Sequence, residues 1–218
     1  MGVIPRSPYV IAILGVAVVL GLAWTGRTRY RLVGPGTPAP SFTASTLSGD
    51  AVTLNDYPDR VILLNIWATW CPPCREEMPS MERLYRRQRE RGVPFEILAV
   101  SVDAAQGESD ALGNQGGDLQ AFAKELDLTF TILHDPSGRI QRIYRTTGVP
   151  ESFLIGGDGI IFRRLAGAVD WDTPEWDATI RRLAGWRPTL PDAADSTQAG
   201  SPAPSTTPFE LMATSPRT

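Results

Sequence analysis

Val61-Ile-Leu-Leu-Asn-Ile-Trp67, followed at once by Ala68-Thr-Trp-Cys71-Pro-Pro-Cys74, is the stretch on which the fold turns. The first seven residues hold one polar side chain, Asn65, and have the length of a strand. A continuous apolar run of that length fits a central strand covered on both faces. Beyond it, Met78, Met81, Leu84 and Tyr85 recur at three- and four-residue spacing among charged residues, and Gly92 stands where a helix would close. That periodicity predicts a helix from Cys71 to about Arg91. The two cysteines therefore sit where a strand passes into a helix.

A thiol at a helix amino terminus faces backbone N–H groups that have no intrahelical acceptor, and the positive end of the helix dipole. Both favour thiolate over thiol and make Cys71 the better nucleophile. Cys74 lies one turn further in, placed to attack a mixed disulfide at Cys71 and close the Cys71–Cys74 disulfide. Pro72 and Pro73 fall in the first turn, where a missing N–H is tolerated, and they stiffen the loop that holds the sulfurs. Trp70 reads as a half-exposed lid beside Cys71, available to substrate, and Trp67 as core.

Outward from this junction, Phe95 to Val102 reads as a second buried strand and Ala104 to Gly117, with four glycines, as a loop. A helix is expected over Leu119–Leu126, a strand over Thr129–Leu133 and a helix over Arg139–Tyr144. Two strands, 152–155 and 160–165, flank Gly156-Gly-Asp-Gly159 as a hairpin, and a helix over Asp172–Leu183 starts on an Asp172 or Thr173 cap. Strands alternating with helices and ending in a hairpin and a helix give an α/β fold around a mixed sheet.

Composition narrows the chemistry. The chain has 218 residues and a formal charge of -3, which gives no basic footprint for nucleic acid. The only two cysteines form the one CxxC, so no disulfide-stapled scaffold is present. A structural zinc site would need two further ligands, and His134 is the only histidine. His134 reads as a strand-end residue, and no metal or other cofactor is expected. Two other uses of the cysteines fit the sequence less well. A peroxidase would need a Pro-x-x-x-Thr-x-x-Cys loop, which the residues before Cys71 do not form, and a copper-assembly factor would have to recruit His134.

The ends of the chain differ from its middle. Ser7 to Gly26 carries no charge and has an apolar centre from Val10 to Trp24. Residues 1–26 are read as a retained signal anchor, a transmembrane helix, in preference to a cleaved signal peptide, because Arg27, Arg29 and Arg31 follow directly. Residues 27–36 read as a linker, 37–185 as the globular domain, and 186–218 as a disordered tail rich in Pro, Ser and Thr.

Three segments together resemble the thioredoxin superfamily, and within it the membrane-anchored TlpA, ResA and CcmG (DsbE) group. They are Gly36-Thr-Pro-Ala-Pro-Ser-Phe42, the run from Leu64 through the CxxC to Pro79, and Thr147-Gly-Val-Pro-Glu-Ser-Phe-Leu-Ile155. The resemblance covers about Thr37 to Leu183. It implies a thioredoxin-like fold, a catalytic domain facing the periplasm or cell exterior, and a membrane thiol-transferring reductant as partner. It also implies a disulfide-containing exported protein as substrate, apocytochrome c foremost. Gly148-Val-Pro150 matches the family's cis-proline loop, which leaves the Val149 backbone free to pair with an extended peptide. Glu151 matches the acid of the cytochrome-maturation members, against the plainer reading of a solvated loop carboxylate. In the ResA and CcmG members an acid at the position of Glu77 adjoins the second cysteine; the plainer alternative is a carboxylate that complements the helix dipole. Asn65 stands where thioredoxins carry a buried acid, so a proton acceptor for Cys74 must come from elsewhere. Pro79 matches the proline that bends this helix.

Overall fold

The computed structural model describes residues 8–26 and 33–185 of the chain. The expected tail and most of the expected linker lie outside the described residues. Helix α1 spans Pro8–Gly26, and the large apolar side chains described on it are exposed. Among the described residues, which leave out the side chains of much of α1, no helix is long and apolar enough to cross a membrane.

From Val33 onward the chain is tied into the domain. The Gly36 N–H donates to Ile161 O at 2.8 Å and the Ala39 N–H to Gly159 O at 2.9 Å. The last residues assigned to a linker therefore already lie along the domain's own hairpin.

Seven strands form one mixed sheet in the order β2-β1-β5-β4-β3-β6-β7. They are β1 (Thr43–Thr46), β2 (Ala51–Thr53), β3 (Val61–Trp67), β4 (Phe95–Ser101), β5 (Thr131–His134), β6 (Glu151–Ile155) and β7 (Ile161–Ala166). The apolar run that opened the sequence reading is β3. It pairs parallel to β4 and antiparallel to β6, and every one of its residues is buried. The helices are α2 (Pro72–Glu90), α3 (Leu119–Glu125), α4 (Arg139–Tyr144) and α5 (Pro174–Leu183).

Strand alternation decides which helix meets which face. Trp67 meets Phe122 of α3, with ring centroids 4.7 Å apart, while Phe153, registered opposite Leu64, meets Tyr144 of α4 at 4.9 Å. Helix α5 is joined to α2 through Asp177, whose carboxylate accepts from Gln88 at 2.6 Å and from Arg91 at 2.6 Å. Its cap is Thr173, which accepts the Trp176 N–H.

Two departures from the sequence reading have clear causes. The strand expected from Thr129 begins at Thr131, because the Thr129 N–H and hydroxyl both donate to Glu82 on α2 and hold that residue off the sheet. Strands β1 and β2 gave no apolar signal: Thr43-Ala-Ser-Thr46 is short and polar, and it pairs on the outer side of β5.

Register defines one sheet edge. Trp67 is opposite Ser101, Ser101 opposite His134, and Ile66 opposite Glu151. The chain leaving β3 and β4 and the chain entering β6 therefore meet at the same edge, as expected for the carboxyl ends of parallel strands.

Candidate active site at the Cys71–Cys74 turn

Cys71 is the N-cap of α2, with extended backbone at φ -99 and ψ 103. Its Sγ accepts the Cys74 N–H at 3.2 Å, and its carbonyl oxygen accepts from Cys74 at 3.1 Å and from Arg75 at 3.3 Å. The sulfur thus occupies the position that a Ser or Asp oxygen takes in an ordinary cap. Pro72 and Pro73 fill the first two helical positions and are exposed, while Cys71 is 4% and Cys74 1% exposed. The two cysteines are joined as a disulfide. Trp70 is half-buried and packs against the core, with its indole N–H buried and unpartnered.

The Val149–Pro150 bond is cis. Pro150 is buried, Val149 is half-buried, and the Pro150 carbonyl accepts the Gly167 N–H at 2.9 Å. Since Glu151 is registered opposite Ile66, this loop lies at the sheet edge from which the cysteine turn departs.

Glu77 lies one helical turn beyond Cys74 on the same face of α2 and is 3% exposed. It accepts a short hydrogen bond from the Trp171 indole N–H, whereas its other oxygen, Oε2, is buried with no hydrogen-bond partner. Desolvation pushes its carboxyl up from an ordinary 4.5 to about 7; the Trp171 bond and the nearby Ser152, Val169 and Asn65 groups oppose that shift without reversing it. Ser152 and Asn65 face each other across the β3–β6 pair, the Asn65 amide donating to the Ser152 hydroxyl at 2.9 Å. A solvated acid that complements a helix dipole would be exposed and ordinary in its titration. Glu77 is neither.

Glu151 departs from both expectations. It is the first residue of β6, 1% exposed, so it is not a solvated loop carboxylate. Nor is it free to meet a substrate. Oε1 takes the Arg164 guanidinium at 2.5 Å and Oε2 takes the Thr147 N–H at 3.1 Å. Arg164 also donates to Val33 O and Arg145 O, so the pair fastens the proline loop to α4 and to the start of the domain. Both carboxylate oxygens of Glu151 thus hold the 147–150 loop in place.

Trp171, just before α5, stacks on Trp176 with ring centroids 4.7 Å apart. Its bond to Glu77 had no signal in the sequence, since 94 residues separate the partners. The Trp171 backbone N–H joins the same network, donating to the Ser80 hydroxyl at 3.0 Å.

Residues 35–164, over half of the chain, match the AhpC/TSA family. The chain belongs to that family. Among its relatives, a thiol-disulfide oxidoreductase ResA of Oceanobacillus iheyensis is 33% identical over 170 residues, covering 76% of this chain and 82% of that protein. Another ResA, of Bacillus thuringiensis, is 36% identical over 132 residues, 61% of this chain and 69% of that protein. A crystal structure described as a thiol:disulfide interchange protein DsbE from Chlorobium tepidum superposes with a TM-score of 0.58 at 30% identity, over 69% of this chain and 98% of that one. The thioredoxin-like fold and the ResA and DsbE resemblance read from the sequence agree with these comparisons.

Proposed function

We propose that this thiol–disulfide oxidoreductase of ResA and DsbE type works as a reductase of disulfides in exported proteins, apocytochrome c among them. The observation that carries the reading is the Cys71 sulfur capping α2, within hydrogen-bond reach of the Cys74 N–H and joined to Cys74. With the pair reduced, the Cys71 thiolate attacks one sulfur of a substrate disulfide. That bond breaks, one substrate thiolate leaves, and a mixed disulfide forms at Cys71. Cys74 then gives up its proton and attacks the Cys71 sulfur, which expels the second substrate thiol and restores the Cys71–Cys74 disulfide. An external dithiol, supplied at the membrane, returns the pair to the reduced state.

Glu77 is the group we assign to the Cys74 proton. Its carboxyl, pushed up to about 7, changes charge near neutrality, where a general base is most useful. In this reading Pro72 and Pro73 form the exposed rim of the turn, the half-buried Trp70 flanks it, and Val149 offers its backbone to the substrate chain. We further propose that the uncharged run Ser7–Gly26 tethers the domain to the cytoplasmic membrane with its catalytic face outward. A helix of that length would span roughly 30 Å. The copper-assembly alternative is weakened by His134, whose Nε2 is engaged with the Asp103 carbonyl oxygen at 2.9 Å.

The substrate is tested by Cys74→Ala, which retains the attacking thiol and lacks the resolving one. Expressed with its exporting host, this variant is expected to accumulate a mixed disulfide through Cys71, separable on a non-reducing gel. Apocytochrome c as the main trapped species would support the narrow reading, and a broad mixture would favour a general reductase. No trapped species at all would contradict both.

A further inference from the structure

Immediately after β4 stands a carboxylate that the thiol chemistry does not use. Asp103 is fully buried and its two oxygens accept four donors. Oδ2 takes the Thr69 N–H at 2.9 Å and the Ser101 hydroxyl at 2.6 Å. Oδ1 takes the Thr69 hydroxyl in a short bond and the Gly117 N–H at 3.2 Å. The last rung between the two strands' ends is the Val102 N–H on Trp67 O. Asp103 thus takes over where the β3–β4 ladder stops. Two of its four donors come from Thr69, two residues before Cys71.

A second observation points to the same place. A Cβ added to Gly117 would overlap the Thr69 side chain, and one added to Gly116 would overlap the carbonyl oxygens of Ala104 and Ala105. The glycine-rich segment 104–117 is therefore folded tightly against the cysteine turn and fastened to it through one shared carboxylate. A buried carboxylate is costly unless its lone pairs are filled. Here they are filled by groups whose placement fixes the peptide leading into the nucleophile.

We propose that Asp103 is a positioning residue for thiol–disulfide exchange. It holds the Thr69 peptide so that the Cys71 sulfur stays aligned with the Cys74 N–H at the amino end of α2, and it makes segment 104–117 part of the same rigid unit. Asp103 touches no reacting atom. The proposal rests on the reading of Cys71 as nucleophile.

Asp103→Asn tests it with no change of shape. An amide offers one accepting oxygen and one donating nitrogen, so the two donors now facing that nitrogen lose their acceptor. In the folded, reduced full chain, alkylation of Cys71 by iodoacetamide at pH 7 is expected to slow by about two- to fivefold, the fall in thiolate fraction that a one-unit loss of stabilisation gives for a thiol titrating near pH 6 to 7. The equilibrium with glutathione should shift by a similar factor toward the disulfide, because the thiolate stabilises the reduced form. Thr69→Val, at a half-buried position, deletes one of the four donors and should move both readouts in the same direction by less. Should Asp103→Asn fail to fold, Thr69→Val decides alone. Unchanged alkylation and glutathione equilibrium in the folded variants, with a reactive Cys71 in the wild type, would overturn the positioning role. An unreactive Cys71 in the wild type would instead overturn the nucleophile assignment beneath it.

Discussion

Cys71→Ser is expected to lower the turnover of a disulfide substrate by at least about a thousandfold while leaving the domain folded. The loss follows from chemistry rather than from packing. A serine hydroxyl remains protonated at neutral pH and cannot exchange with a disulfide, so the first step has no substitute nucleophile. Packing should change little, because sulfur and oxygen both accept the Cys74 N–H that closes the α2 cap, and serine is a favoured residue there. A thermal midpoint near that of the reduced wild type, together with loss of insulin or model-peptide reduction, would meet the expectation. Retention of more than a few per cent of turnover would mean that the chemistry lies elsewhere.

The second large effect belongs to Glu77, and its sign is opposite to that of most carboxylates. Burial raises the folded-state value to about 7 from an ordinary 4.5. Below about pH 4.5 both folded and unfolded chains keep the proton, and the group contributes no difference. As pH rises from there to about 7, the unfolded chain releases the proton and the folded one retains it, so stability falls across that window. Above pH 7 the folded protein holds a desolvated carboxylate with one unpartnered oxygen, and the accumulated loss is about 3 kcal/mol. Glu77→Gln keeps an oxygen for the Trp171 indole and removes the charge. Relative to the wild type, it is expected to gain about 3 kcal/mol in the oxidised form between pH 5 and pH 8, read by denaturant unfolding at the two values. The same substitution should slow the release of substrate from the mixed disulfide at neutral pH, since Cys74 loses its proton acceptor. Parallel stability curves for the two proteins would show that Glu77 titrates as an ordinary acid and would remove it from the mechanism.

In the proposed mechanism, Glu77, raised to about 7 on α2, takes the part of the buried acid whose place Asn65 holds on β3. Asn65 donates to Ser152 across the sheet. The ionisable group is carried instead by α2, one turn beyond Cys74, and accepts from Trp171 in the connection between β7 and α5.

The fold was legible where sequence pattern and local physics agree. The apolar run of β3, the three- and four-residue spacing on α2 and the glycine-rich turn between β6 and β7 each report a property of the backbone within a dozen residues. Cys71 and Cys74 were equally plain, because the helix amino terminus is fixed by the strand before it and the prolines after it. What the chain concealed depends on distant partners. Glu151 looked like a loop acid, since nothing in its neighbourhood announces Arg164 across the hairpin. Trp171 gave no sign of its bond to Glu77, because that acceptor lies far off in sequence on α2. Segment 104–117 was read correctly as a loop, but the pressing of Gly117 onto Thr69 is a tertiary fact. The short β1 and β2 gave no pattern at all, because β1 owes its place to the edge of β5 and β2 to β1 rather than to their own side chains.

The most direct measurement is the pH dependence of Cys71 alkylation in the reduced chain. Helix-end stabilisation of the sulfur predicts a half-maximal rate well below the pH of about 8.5 at which free cysteine ionises, and repeated cycling of the pair with dithiothreitol. A profile that coincides with free cysteine, in a pair that does not cycle, would contradict the account.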